Sequence, residues 1–103
     1  MPRITLKYIQ QWLNDKFIEL EITEYEIFSV ERTHYREYDY EGGAARLVIG
    51  FRNKEDYRYF GYFNCFYSLR DIEQHLKNGY ELHLKFDRFG ILSNCELDIR
   101  KLT

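Results

Sequence analysis

Three histidines, two cysteines, three serines and a run of carboxylates are the reactive side chains of this 103-residue chain, and their spacing decides what chemistry is open to them. His34, His75 and His83 have no metal-ligand spacing with one another or with Cys65 and Cys95. The cysteines lie thirty positions apart, neither in a CxxC pair. They read as reduced thiols of an intracellular, cytoplasmic protein rather than as a disulfide or a zinc site. Ser29, Ser68 and Ser93 lack the strand-turn-helix context of a nucleophile, and Ser68 is placed to cap a helix. Gly42-Gly43 is a tight turn, not a phosphate-cradling loop. Glu24 and Glu26 would form an acid–base couple only if an apolar pocket drove their pKa values apart, and their neighbours offer solvated charge instead. The expectation is a protein that works without catalysis, cofactor or metal.

Rings and charge carry more information. Aromatic residues make up 18% of the chain, and ten tyrosines outnumber eight phenylalanines. Tyrosine joins a large contact area to a polar tip, which suits surfaces that become buried when a partner arrives. The rings are densest in "EDYRYFGYFNCFYS", residues 55–68. On a strand, Tyr57, Tyr59, Phe63, Cys65 and Tyr67 fall on one face and Arg58, Phe60, Tyr62 and Phe66 on the other. With rings on both faces the strand reads as central, one face under the helices and the other exposed. Charge is concentrated elsewhere. Residues 19–41 hold eight acids against Arg32 and Arg36, while the stretches on either side are slightly basic and the whole chain carries −2. In "TEYEIF" and "YREYDYE" those acids alternate with tyrosines. Residues two apart on a strand lie about 6.6–6.8 Å from each other, so such a segment presents a ladder of carboxylates with rings between them.

The elements that must position these groups follow from periodicity. "ITLKYIQQWLNDKFIEL" repeats Leu6, Ile9, Leu13, Phe17 and Leu20 at helical intervals, with Trp12 beside them and Lys7, Gln10, Gln11, Asn14 and Asp15 on the polar side, a helix over 4–20. β-branched and aromatic residues then predict strands over 22–32 and 33–40, with Gly42-Gly43 turning into a return strand over 44–52 and a further strand over 57–66. "SLRDIEQHLKNG" reads as a helix over 69–78, capped by Ser68 with Asp71 three residues on and closed by Asn78-Gly79. Alternation predicts last strands over 80–88 and 91–101. The sum is a single α+β domain in the order α-β-β-β-α-β-β, with a five-stranded, mostly antiparallel sheet and two helices on one face. Glu24 and Glu26 share strand parity with Phe28 and Val30, so a bulge or a sheet edge must intervene. Fully extended, residues 22–40 would span about 60 Å at ~3.3 Å per residue. A domain of this length is about 35 Å across. The segment must break near Arg32-Thr33 or project as an arm. No run of residues approaches a membrane span. "MPRITLKYIQQWL" lacks the apolar run of a secretory signal.

Two resemblances bear on function. "RYFGYFNC" resembles the first ribonucleoprotein signature of the RNA-recognition fold through Arg58, Phe60, Gly61 and Tyr62. It departs at Tyr59, Phe63 and Cys65, and only "MPRI" stands where that fold places its first strand. In size, charge layout and aromatic content the chain is similar to the small acidic inhibitors of phages and mobile elements, DNA-mimic and anti-CRISPR proteins among them. That resemblance implies a non-enzymatic inhibitor or regulator docking on a larger basic protein, one that handles nucleic acid. The expected contacts are Glu24, Tyr25, Glu26, Tyr35, Glu37, Tyr38, Asp39, Tyr40 and Glu41 of the acidic segment and Arg58, Tyr59 and Tyr62 of the ring-rich stretch. Direct nucleic-acid binding is disfavoured by the negative field. The alternatives are a single-stranded nucleic-acid binder using the rings of residues 57–67 and a homo-oligomeric structural protein pairing through an exposed sheet face.

Overall fold

A computed structural model describes residues 3–33, 46–86 and 95–101. The order is α1 (Leu6–Glu19), β1 (Tyr25–Arg32), β2 (Leu47–Asn53), β3 (Phe60–Cys65), α2 (Leu69–Lys77), β4 (Tyr80–Phe86) and β5 (Cys95–Lys101). The α+β order is as expected, but the single sheet is not. β1, β2 and β3 form one antiparallel sheet with β2 in the middle, and β4 and β5 form a separate antiparallel hairpin. Alternation says which side chains face the core, not which strands share a ladder. Leu82, Leu84 and Leu97 of the second sheet join Ile49, Phe63 and Cys65 in one apolar cluster, so among the described residues it reaches the common core without sharing a ladder with the first.

α1 buries Ile9, Leu13 and Phe17, one side chain per turn. The Thr5 hydroxyl caps it by accepting the Tyr8 N–H at 3.0 Å. Its other end closes by backbone alone. Ile22 N–H reaches the Phe17 carbonyl at 2.8 Å and Glu21 N–H reaches that of Ile18 at 3.0 Å. Glu21 takes a left-handed φ of 61°, where glycine is usual, while Ile22 and Phe17 are both buried. α2 is capped by the Ser68 hydroxyl, which accepts the Asp71 N–H at 3.1 Å, and it ends at Asn78 with Gly79 at φ 85°.

The anticipated bulge lies in β1. Ile27 pairs with Phe51 and Ser29 with Gly50, which leaves Phe28 as the extra residue. The half-turn it adds lets Ile27 and Val30 both point inward, three positions apart. α1 seals the backbone beside it. Asn14 accepts the Ile27 N–H at 2.9 Å through Oδ1 and donates Nδ2 to the Ile27 carbonyl at 3.2 Å, and Gln10 Nε2 donates to the same carbonyl at 3.2 Å. Asn14 and Gln10, read from helical periodicity as solvent-facing, thus cover the outer edge of β1.

The ring-rich strand is shorter than expected and, among the described residues, lies at the sheet edge. Residues 54–59 are a turn closed by the Asn53 N–H to the Tyr59 carbonyl at 2.8 Å. The Asn53 side-chain oxygen accepts the N–H groups of Glu55 and Asp56 inside it. These local bonds take Tyr57, Arg58 and Tyr59 out of the strand. From Phe60 onward the expected parity holds: Phe63 and Cys65 are buried, while Phe60, Tyr62 and Phe66 are exposed. The proposed second strand and projecting arm, 33–43, lie outside the described residues except for Thr33, which follows β1 as coil.

Candidate functional site

The outer face of the three-stranded sheet is built in rows. Glu26 sits opposite Arg52, and Arg52 opposite Phe60; one row on, Ser29, Gly50 and Tyr62 stand in line. Glycine at position 50 leaves room for the bulged ring. A Cβ there would lie 2.9 Å from Phe28 Cζ and 2.5 Å from Ser29 Oγ, so the Phe28 ring lies over bare backbone. Gly61 does the same on the inner face, where a Cβ would meet Phe51 Cζ at 2.8 Å.

Arg52 organises the upper row. Its guanidinium carbon lies 3.9 Å from the centre of the Tyr57 ring and 5.1 Å from that of Phe28, and its Nε donates to Glu26 Oε1 at 3.0 Å. The cation is thus sandwiched between two rings and tied to a carboxylate at its edge. Edge-to-face contacts extend the cluster, Phe28 to Tyr62 at 6.2 Å and Tyr62 to Phe60 at 5.9 Å. Tyr57, Tyr59, Phe60 and Tyr62 remain between 56% and 59% exposed and Phe66 45%, so five large rings of one short stretch are offered to solvent.

Arg58 and Asp56 set the turn above it. Arg58 holds Asp56 through two parallel bonds, Nε to Oδ1 at 2.9 Å and Nη2 to Oδ2 at 2.7 Å, and Arg58 N–H adds a third at 3.1 Å. The Arg58 side chain, then its backbone N–H, hold the Asp56 carboxyl below the usual carboxylate range.

The expected contact residues therefore divide. Tyr59 and Tyr62 are both exposed, Tyr62 on the outer face of the sheet and Tyr59 in the turn before β3. Arg58 stands at its rim with its guanidinium engaged by Asp56. Glu24 is exposed just before β1, and its carboxylate accepts the Thr23 hydroxyl at 3.3 Å. Glu26 is half-buried and paired with Arg52, so its charge is compensated within the chain. Tyr25 turns inward and meets Phe51 edge-to-face at 5.9 Å, packed against the core rather than alternating with the acids on an open face. Tyr35, Glu37, Tyr38, Asp39, Tyr40 and Glu41 lie outside the described residues. Phe28 is the member that periodicity missed, while Arg52, outward by alternation, was not among the expected contacts. The parity conflict at Glu24, Glu26, Phe28 and Val30 was the signal for Phe28, since resolving it by a bulge turns that ring outward over Gly50.

Among the described residues no group of three or more His, Cys, Asp and Glu side chains is placed to hold a metal ion. His75 lies between the rings of Tyr67 and Tyr80, its Nδ1 2.7 Å from the Asp71 carbonyl. His83 is half-buried between the exposed Glu81 and Lys85 on β4, and burial followed by the nearby Arg100 pushes its pKa down. No helix among the described residues is long and apolar enough to cross a membrane. Comparison with protein-family models, with curated proteins and with solved structures found no match to this chain.

Proposed function

We propose that this protein acts by binding rather than by catalysis, docking the ring-bearing outer face of its three-stranded sheet onto a larger basic protein. The acidic segment 19–41 steers the encounter. The single observation that carries the proposal is the exposure of five large rings within one short stretch, Tyr57, Tyr59, Phe60, Tyr62 and Phe66, of which Phe60 and Tyr62 meet edge-to-face. At roughly half of the 150–250 Å² that an aromatic side chain can bury, five rings supply on the order of 500 Å². A standard interface takes about 800 Å² from each partner, so the rings would make most of its centre.

The charges around the rings favour a protein partner over a nucleic-acid strand. A stacking platform for single strands pairs its rings with cations that follow the phosphates. Here Arg52 is held by Glu26 and Arg58 by Asp56, so both arginines nearest the rings carry their own counter-charge. Glu24 and Glu31 remain exposed beside them. Together with the charge concentration in the acidic segment, this supports an inhibitor or regulator of a nucleic-acid-handling enzyme, in the manner of DNA-mimic and anti-CRISPR proteins.

Charge reversal tests the steering role. Partners captured from the cell of origin are measured for association rate against salt, with the native chain and with the E37K/D39K/E41K variant. The proposal expects slower association and a flatter salt dependence in the variant. Identical kinetics would refute steering. A shift of mixed-sequence single-stranded oligonucleotides by the native chain at low salt would favour the nucleic-acid reading instead.

A further inference from the structure

We propose that a cleft at the opposite end of the three-stranded sheet binds a small organic phosphate of nucleotide size. The antiparallel register places Arg32, Leu47 and Cys65 at one end of the sheet, and Arg52 and Phe60 at the other. The cleft opens at the Arg32 end, with a volume of about 910 Å³. Four cations from well-separated stretches line it: Arg3, Lys7, Arg32 and Arg70. Among the described residues Glu73 is the one carboxylate of the lining, and its Oε1 already accepts the Ile4 N–H at 3.1 Å. On a chain of net charge −2 this is a local reversal of sign. Among the described residues none of the four cations has an ion-pair partner. Like charges gathered around a hollow reinforce one another's field, and an anion seated among them relieves their repulsion.

The floor adds donors to the charge. Both helices begin at this cleft. Their caps consume the N–H groups of Tyr8 and Asp71, and the Thr5 and Ser68 carbonyls accept those of Ile9 and Ile72. The N–H groups of Leu6, Lys7, Leu69 and Arg70 precede the first bond each helix can make to itself, and all four residues line the cleft. Asp71 shares the first turn of α2 but is not part of the lining. Arginines supply the planar, bidentate donors that phosphate oxygens match. The volume falls in the ~300–1,000 Å³ range of small-molecule sites, far more than one phosphate fills. Ile4, Leu6 and Leu69 give it an apolar wall for the organic part. A phosphoryl group among the cations with its organic moiety against that wall accounts for both halves of the lining.

The test is an amide NMR titration of the full chain with pyrophosphate, ADP and adenosine. The expected result is saturable shifts at Leu6, Lys7, Leu69 and Arg70 with pyrophosphate and ADP, tighter with ADP, and none with adenosine at equal concentration. The R32Q and R70Q variants change exposed side chains, and each should weaken ADP by roughly tenfold while leaving the spectrum otherwise unchanged. The doubly reversed R32E/R70E should abolish the shifts. Shifts no larger than at other surface amides, or ADP binding unchanged in R32Q and R70Q, would overturn the site. Binding of a twelve-nucleotide single strand far tighter than ADP would overturn the small-molecule assignment.

Discussion

The guanidinium of Arg52 stacks 3.9 Å from the centre of the Tyr57 ring, which joins the middle strand of the sheet to the turn that precedes its edge strand. The turn is thereby tied to the sheet through the Tyr57 ring. Replacing Arg52 by lysine keeps the charge but loses the planar stack and the Nε donor that Glu26 accepts. The expected cost is about 0.5–2 kcal/mol, read from urea unfolding, with increased side-chain mobility at Tyr57 seen by NMR. A neutral result would mean that Tyr57 is held by the turn alone.

Gly50 and Gly61 each lie beneath a ring, and alanine at either position should be felt. Gly50→Ala must push aside Ser29 Oγ or the Phe28 ring, and Gly61→Ala must move the buried Phe51 ring. Each is expected to cost about 1–3 kcal/mol. The two are distinguishable. Gly50→Ala should disturb the surface resonances of Phe28 and Tyr62, and Gly61→Ala those of the core around Phe51 and Phe63.

Asn14 is the polar link between α1 and β1. In Asn14→Ala the Ile27 N–H loses the oxygen that accepts it at 2.9 Å, which should destabilise the fold by about 1–3 kcal/mol. Amide exchange at Ile27 should accelerate well beyond the change at Val30. Equal acceleration at both would point to global loosening instead.

Glu21 holds a left-handed backbone at the end of α1 without the freedom of glycine. Glu21→Gly is therefore expected to stabilise the protein by about 0.5–1 kcal/mol, seen as a rise of a few degrees in melting temperature. A drop would show that the side chain makes up for the strain.

How far the sequence reaches depends on the range of the interaction. α1 and α2 were legible because helical periodicity and the Ser68 cap are local. The bulge at Phe28 was legible as a conflict of parity, though not its place over Gly50. The division into two sheets was not, because Leu82, Leu84 and Leu97 read as inward-facing whether or not their strands join the main ladder. The turn at 54–59 was hidden by its rings: Tyr57 and Tyr59 have strand-like character, and the Asn53 side chain decides otherwise. Least legible was the cationic cleft. Arg3, Lys7, Arg32 and Arg70 are scattered along the chain, Arg32 within its most acidic stretch, and only the meeting of the two helix starts with the end of β1 brings them together.

The central claim rests on the exposed rings, and one comparison tests it most directly. The native chain and a Phe60→Ser/Tyr62→Ser variant, matched for melting temperature, are used to capture proteins from the cell of origin, and the bound fractions are quantified by mass spectrometry. The account predicts a protein with a basic surface that the native chain enriches and the variant loses by at least roughly tenfold, as expected when two central aromatic anchors are removed. Equal recovery of the same proteins by both chains would contradict it.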